Sequence, residues 1–286
     1  MPGKPPWLRA PSTGGDDVSR LMVEAVLRDL SLNTVCREAR CPNRRECFSR
    51  KVATVLIMGT HCTRNCRFCN VRNDLPLPLD PEEPRRVAEA ARRLGLRYVV
   101  VTSVTRDDLP DGGAAHFAAT IREIRELVPS MAIEVLIPDF RGDAAALRVV
   151  AQARPAVISH NVETVPALYE AVRPQADYRQ SLRLLENIKK EDPGIRSKTG
   201  IMLGLGESRA QVLEVLTDLR RAGCEFLTLG QYLAPGRQHH PVREYVHPDV
   251  FAEYKNIAQG MGFLSVASAP LVRSSFHAEE ALGMRF

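Results

Sequence analysis

From Val52 onward the chain repeats one pattern: a short apolar run rich in β-branched residues, a polar turn, then a longer amphipathic stretch. Val52 to Met58, Leu96 to Thr102, Met131 to Ile137, Ala156 to Ser159, Lys198 to Leu203 and Glu225 to Leu229 read as buried strands. Helical periodicity marks Pro81 to Leu94, Gly113 to Val128, Ala144 to Ala153, Tyr178 to Lys190, Glu207 to Ala222 and His247 to Met261, and Val162 to Val172 reads as a helical return. Leu264 to Val266 is a last apolar segment. This alternation implies a parallel sheet with right-handed crossovers. No G-x-G-x-x-G follows an early strand, which argues against a dinucleotide-binding open sheet. Polar residues gather just after the strand ends, at His61 to Asn70, Ser103 to Asp108, Pro138 to Asp143, His160 to Glu163 and Gln231 to Gln238. In a barrel all of these meet at one mouth. The expected fold class is therefore α/β, a partial (β/α)6 TIM-type barrel over residues 52–267, with an N-terminal extension (1–51) and a C-terminal segment (268–286).

Charge and apolar content, 26% and 44%, suit a packed soluble core, and no stretch approaches the roughly 18–20 apolar residues that cross a bilayer. Met1 to Arg20 is rich in Pro and Gly and reads as a flexible arm with no leader-like apolar segment, so a cytoplasmic location is expected. The net charge is +5, and residues 1–51 carry most of it, with ten Lys/Arg against six Asp/Glu. This basic segment is either a solvated face or a steering surface for an acidic partner. Nucleic acid fits poorly, because aromatics make up only 6% and are not interleaved with basic runs.

Six of the seven cysteines fall between Cys36 and Cys69, and Cys224 stands alone in an apolar stretch as a small core residue. Without an export signal, metal ligation is favoured over disulfides. Cys62, Cys66 and Cys69 form C-x3-C-x2-C directly after the first strand. Three soft thiolates on one loop fit a [4Fe–4S] cubane with one iron left open to a small chelating ligand. A zinc site completed by His61 or a remote residue is the alternative. Cys36, Cys41 and Cys47 form C-x4-C-x5-C upstream, again three thiolates and no fourth.

The downstream loop resembles the signature of the radical S-adenosylmethionine (SAM) superfamily. The whole chain from about residue 30 to 280 is similar to the lipoyl synthase family. The resemblance rests on the two cysteine triplets in order, Thr105-Arg106-Asp107-Asp108-Leu109, Asp111-Gly112-Gly113, Asn161-Val162-Glu163-Thr164-Val165, Met202-Leu203-Gly204-Leu205-Gly206-Glu207 and the terminal Arg273-Ser274-Ser275-Phe276. Three positions depart from the family pattern: Phe48 replaces Trp, Phe276 replaces Tyr, and Lys198-Thr199-Gly200 replaces Lys-Ser-Gly.

The resemblance implies two [4Fe–4S] clusters and SAM as cofactors. Cys62, Cys66 and Cys69 are expected to hold the SAM-cleaving cluster. Cys36, Cys41, Cys47 and a terminal serine, Ser275 with Ser274 as the alternative, are expected to hold an auxiliary cluster that is consumed as the sulfur source. Phe68 is expected at the adenine, and by position Thr105, Asp107, Glu134, Asn161 and Arg173 at the rest of SAM. The implied reaction is insertion of two sulfur atoms at carbons six and eight of an octanoyl-lysine on a lipoyl carrier protein domain. Further partners implied are an electron donor such as a flavodoxin or ferredoxin and an iron–sulfur cluster carrier; neither nucleic acid nor membrane is expected. Two cubanes require about eight iron atoms per chain. Iron and sulfide analysis of anaerobically purified protein is therefore expected to return that number, and zinc with no brown chromophore would remove the cluster reading.

Overall fold

A computed structural model describes residues 4–8, 17–39, 41–49, 54–276 and 278–284. Seven parallel strands form one sheet in chain order: β2 (Thr54–Ile57), β5 (Tyr98–Ser103), β6 (Ala132–Leu136), β7 (Val157–Ser159), β8 (Arg196–Leu203), β9 (Phe226–Gln231) and β10 (Ser265–Ser268). A two-residue strand, β1 (Asn33–Thr34), joins antiparallel beside β2. The sheet order begins at β1 and ends at β10, so among the described residues the barrel is open on one side. The helices α4 (Glu83–Arg93), α5 (Ala114–Leu127), α6 (Ala144–Gln152), α8 (Tyr178–Glu191), α9 (Arg209–Arg221) and α10 (Pro248–Gly260) return the chain between these strands. Six strand–helix units followed by a last strand match the expected partial barrel. Before β5, β3 (His61–Cys62) and β4 (Arg72–Asn73) form a separate small ladder.

The helices start where local chemistry satisfies their free N–H groups. Asp143, Asp177 and Ser208 accept backbone N–H bonds at the heads of α6, α8 and α9, and Ser208 forms a capping box with Gln211. Their apolar faces cover the outer side of the sheet. In α5, Phe117, Ile121 and Ile124 recur at helical spacing and are fully buried, each contributing about 1.5–3 kcal/mol of hydrophobic stabilisation. Val99, Val101, Ile133 and Val135 meet that helical layer. The alternate residues Tyr98, Val100 and Ala132 face the lumen, where Ala278, Leu282 and Met284 of the C-terminal segment pack on them.

Two readings are corrected. Met1 to Arg20 is not simply a flexible arm: Pro6–Leu8 form a 3-10 turn with Leu8 fully buried, and Asp17 opens the helix α1 (Asp17–Asp29). Val23 and Leu27 of α1, four residues apart, enter the main core, so this part of the N-terminal extension packs with the barrel's outer apolar layer. The return expected over Val162 to Val172 is helical only at its end, as a 3-10 turn (Pro166–Leu168) and α7 (Tyr169–Val172). Its start is extended: the Glu163 N–H donates to Gly200 O at 2.9 Å and the Met202 N–H donates to Glu163 O at 2.8 Å.

The lumen holds a buried ion pair. Lys198 Nζ on β8 donates to both Glu134 carboxylate oxygens on β6, at 2.9 and 3.0 Å, and Tyr98 OH donates to Glu134 at 2.5 Å. Both charged side chains are almost wholly excluded from solvent. Removing one partner leaves an uncompensated charge, whereas removing both does not. Lys198→Met is therefore expected to cost about 3–5 kcal/mol and to lower the thermal midpoint. The double variant Lys198→Met/Glu134→Leu should recover most of that loss in calorimetry.

Candidate active site

The first thiol loop leaves the C-terminal end of β2 and is held from several sides. Cys62 Sγ accepts N–H bonds from Thr105 (3.3 Å) and Arg64 (3.5 Å), and Cys69 Sγ accepts one from Val71 (3.5 Å). The Arg67 N–H donates to Val172 O, and the His240 N–H donates to Arg67 O. His239, to which the sequence assigned no role, contacts Cys69 O through Nε2 at 3.1 Å. Burial pushes the thiols of Cys66 and Cys69 up, Cys69 to about 12, with neighbouring thiols and Glu163 adding to the effect. Thiols in such a setting ionise only when a cation offsets the charge, which bound iron does. Among the described residues no three His, Cys, Asp or Glu side chains converge as ligands of one ion.

Across the mouth, Asn161, Glu163 and Arg173 form a polar wall. Glu163 adopts a left-handed backbone conformation (φ 65°), and its carboxylate accepts from Asn161 Nδ2 at 3.0 Å. Burial raises the Glu163 carboxyl, while Arg173 opposes the rise. Arg173 Nη1 donates to the carbonyls of Asn161 and Val162, and its guanidinium lies 5.4 Å from the centre of the Tyr169 ring. Its Nε and Asn161 Oδ1 are buried without a partner, as are the hydroxyls of Ser103 and Ser159, the last residues of β5 and β7. A Cβ built on Gly200 would come within 2.9 Å of Asn161 Oδ1 and 2.8 Å of Thr228 Oγ1, so glycine keeps this wall open. Buried orphan donors and acceptors at strand ends imply a polar ligand. An amino-acid cofactor with a ribose fits this set: Arg173 Nε can meet a carboxylate, and Asn161 Oδ1 an amino or hydroxyl group. Phe68 joins Val172, Leu205 and Tyr232 in an apolar cluster beside the loop.

Of the residues expected at the cofactor, Asp107 and Glu134 have their carboxylates bound within the protein, and Thr105 is held through its backbone. The Thr105 N–H is on Cys62, and Thr105 O accepts from Thr63. Both Asp107 oxygens accept from Arg64. Glu134 lies in the lumen, held by Lys198 and Tyr98. Glu163 was not among the expected cofactor contacts, although it stands two residues after Asn161 in the same motif. The turn at Gly204 to Gly206 is closed by its own neighbour, whose Glu207 carboxylate accepts all three backbone N–H groups.

The second triplet lies on the far side of β2. Cys36 is in α2 (Val35–Glu38), whose first turn Thr34 caps, and Cys47 is in α3 (Arg44–Ser49). The Cys41 N–H donates to Cys36 O, which holds these two residues together, and the Cys47 N–H donates to Asn43 O at the head of α3. Burial pushes the Cys36 thiol up, and contact with Thr54 opposes this. The C-terminal segment reaches the same place. Asn43 Nδ2 donates to Leu271 O at 2.7 Å, Arg273 lies within electrostatic reach of Cys41, and Thr54 Oγ1 donates to Ser275 Oγ at 2.7 Å. The approach depends on Gly230, where a Cβ would stand 2.1 Å from Val272 O.

The sequence model of the Radical SAM superfamily matches residues 56–219. The lipoyl synthase of Caldanaerobacter subterraneus subsp. tengcongensis is 57% identical over 281 residues, covering 98% of each chain. That of Nitratidesulfovibrio vulgaris (strain Hildenborough) is 57% identical over 97% of this chain and 92% of its own. Among solved structures, Streptococcus suis SuiB bound to S-adenosylmethionine matches with a TM-score of 0.58 at 15% identity, over 79% of this chain and 54% of its own. Methylornithine synthase (PylB) matches with a TM-score of 0.54 at 13% identity, over 94% and 82%. At such identities the structural likeness shows the fold alone, a partial barrel of the same kind. Sequence likeness along almost the full length carries more, and by it the chain belongs to the lipoyl synthase family of radical SAM enzymes.

Proposed function

We propose that this chain inserts sulfur at carbons six and eight of an octanoyl group amide-linked to a lysine of a lipoyl carrier domain. Its cofactors are SAM and [4Fe–4S] clusters, as the family requires. In this reading Cys62, Cys66 and Cys69 hold the cluster that binds SAM, and Cys36, Cys41, Cys47 and Ser275 hold the auxiliary cluster, a sulfur-donating substrate. The observation that carries the reading is the contact of Ser275 with Thr54, which itself touches Cys36. It draws the terminal serine to the upstream thiols.

Bound SAM and its cluster supply hydrogen abstraction from unactivated carbon, chemistry beyond protein side chains. The chain's own residues bind and orient. Arg173 and Asn161 direct their unpartnered atoms at the polar groups of SAM, Glu163 adds a carboxylate for its hydroxyls, and Phe68 walls the adenine. Ser275 offers a hard oxygen to an iron otherwise held by soft sulfur, a bond more readily released than a thiolate's. An electron donor such as a flavodoxin or ferredoxin, and a cluster carrier that restores the sulfur source, complete the cycle.

Octanoylated carrier peptide supplied with SAM and a reductant is expected to gain two sulfur atoms by mass spectrometry; an unchanged mass would remove the proposed reaction. In Ser275→Ala we expect sulfur insertion to fall roughly 10- to 100-fold while deoxyadenosine is still released. Product formation at the parental rate would take Ser275 out of the ligand set. Arg37, Arg44 and Arg45 are exposed on the N-terminal segment, and Arg40 lies outside the described residues. Reversing the charge of several of these four is expected to weaken carrier-domain affinity, most strongly at low salt. Affinity that stays level across a salt titration would place docking elsewhere.

A further inference from the structure

Arg64 lies between two cluster-loop cysteines, yet its side chain turns inward and is only 7% exposed. Its fork meets two carboxylates from two other strand ends. Nε and Nη2 donate to Asp107, after β5, at 2.7 and 3.0 Å. Nη1 and Nη2 donate to Asp139, after β6, at 2.8 and 2.6 Å. Asp139 is fully buried, and Arg64 draws its carboxyl down to about 2 although burial alone would raise it. It also accepts the Arg141 N–H at 3.0 Å, within a turn where Phe140 and Arg141 both have positive φ. A guanidinium is the side chain suited to this geometry, because its planar fork serves two carboxylates at once and a lysine does not.

The clamp has a second layer nearer the sulfur. Thr63 Oγ1 donates to Thr105 O at 3.0 Å and accepts from the Asp107 N–H at 3.1 Å, while the Thr63 N–H donates to Thr105 O at 3.1 Å. These bonds hold the carbonyl of the residue whose own N–H donates to Cys62 Sγ. The guanidinium also lies within electrostatic reach of Cys66. Asp107 and Thr105 thus act on the loop that carries the thiols. Hydrogen bonds to cluster sulfurs favour the more negative, reduced state and so raise the reduction potential.

We propose that Arg64, clamped by Asp107 and Asp139, is a positioning residue that keeps the Thr105 N–H on Cys62 and thereby sets the reduction potential of the SAM-binding cluster. The inference rests on the reading that Cys62, Cys66 and Cys69 hold that cluster. Loosening the clamp lengthens the N–H···S contact and makes the cluster harder to reduce, with the SAM-binding wall at Asn161 and Arg173 untouched.

The test uses the full chain carrying Cys36→Ala, Cys41→Ala and Cys47→Ala, reconstituted anaerobically so that one cluster is read. Iron content, midpoint potential and the change in the electron paramagnetic resonance signal on adding SAM are measured for this parent, for Arg64→Lys and for Thr63→Val. We expect equal iron and an intact SAM response in both variants. Arg64→Lys should show a potential more negative by a three- to tenfold change in the reduction equilibrium, where tenfold is 59 mV for one electron, and Thr63→Val a smaller shift of the same sign. Unchanged potentials in both variants overturn the proposal, as do shifts of opposite sign. If Arg64→Lys loses its iron, Thr63→Val decides: a more negative potential supports the proposal and an unchanged one overturns it. A parent that binds no iron overturns instead the site reading beneath it.

Discussion

The short parallel ladder between β2 and β5 is the constraint on which both thiol groups depend. It pairs Thr54 with Val100 and Ile57 with Ser103. At the lower end of β2, Thr54 touches Cys36 and holds Ser275. At the upper end the chain runs through Met58 and Gly59 into the Cys62 loop. Three strand steps of about 3.3 Å thus separate the two neighbourhoods by about 10 Å along the strand. A one-residue slip of β2 would turn Thr54 away from the lumen and carry Ser275 off the upstream cysteines.

The interior of this barrel is unusual for a stabilising core. The apolar weight lies outside the sheet, under the helices, while the lumen carries Glu134, Lys198, Tyr98 and a row of hydroxyls. Buried polar groups are tolerated when paired, as the Glu134–Lys198–Tyr98 network is. The unpartnered atoms of Ser103, Ser159, Asn161 and Arg173 stand at or just beyond the strand ends. That division separates polarity satisfied within the sheet from unsatisfied polarity at the strand ends. The C-terminal segment packs into the lumen, with Ala278 against Tyr98 and Val100, and Asn43 of the N-terminal extension binds Leu271 just after β10.

Much of this was readable from residue order alone. The strands after the first cysteine loop follow their apolar runs to within a few residues, because β-branched runs bounded by turns carry their own signal. Helix α1 was obscured by the Pro- and Gly-rich residues before it, although Val23 and Leu27 had helical spacing. The extended stretch around Glu163 escaped because its pairing with Ile201 is a tertiary bridge, and a left-handed glutamate has no local signature. Asp107 and Thr105 were placed near the right loop, but position alone could not show that Asp107 binds Arg64 and that the Thr105 backbone meets Cys62. That required seeing where Arg64 points. Glu134 was expected at the mouth from its strand alone; its pairing with Lys198 and Tyr98 has no signal in the sequence.

Spacing within a few residues is a local property, so the sequence by itself determined that six thiols fall in two closely spaced triplets, and that strands and helices would alternate. Which remote groups come near each set is not local. Thr54 and Ser275 are 221 positions apart; the terminal motif named the serine, but nothing local in the chain brings it to Thr54. Their approach follows from the order of the strands, from the opening left between β10 and β1, and from a glycine at position 230 that lets the returning backbone pass. Only the tertiary structure decided these, because contacts between distant segments form when packing and hydrogen bonding of the whole sheet bring them together.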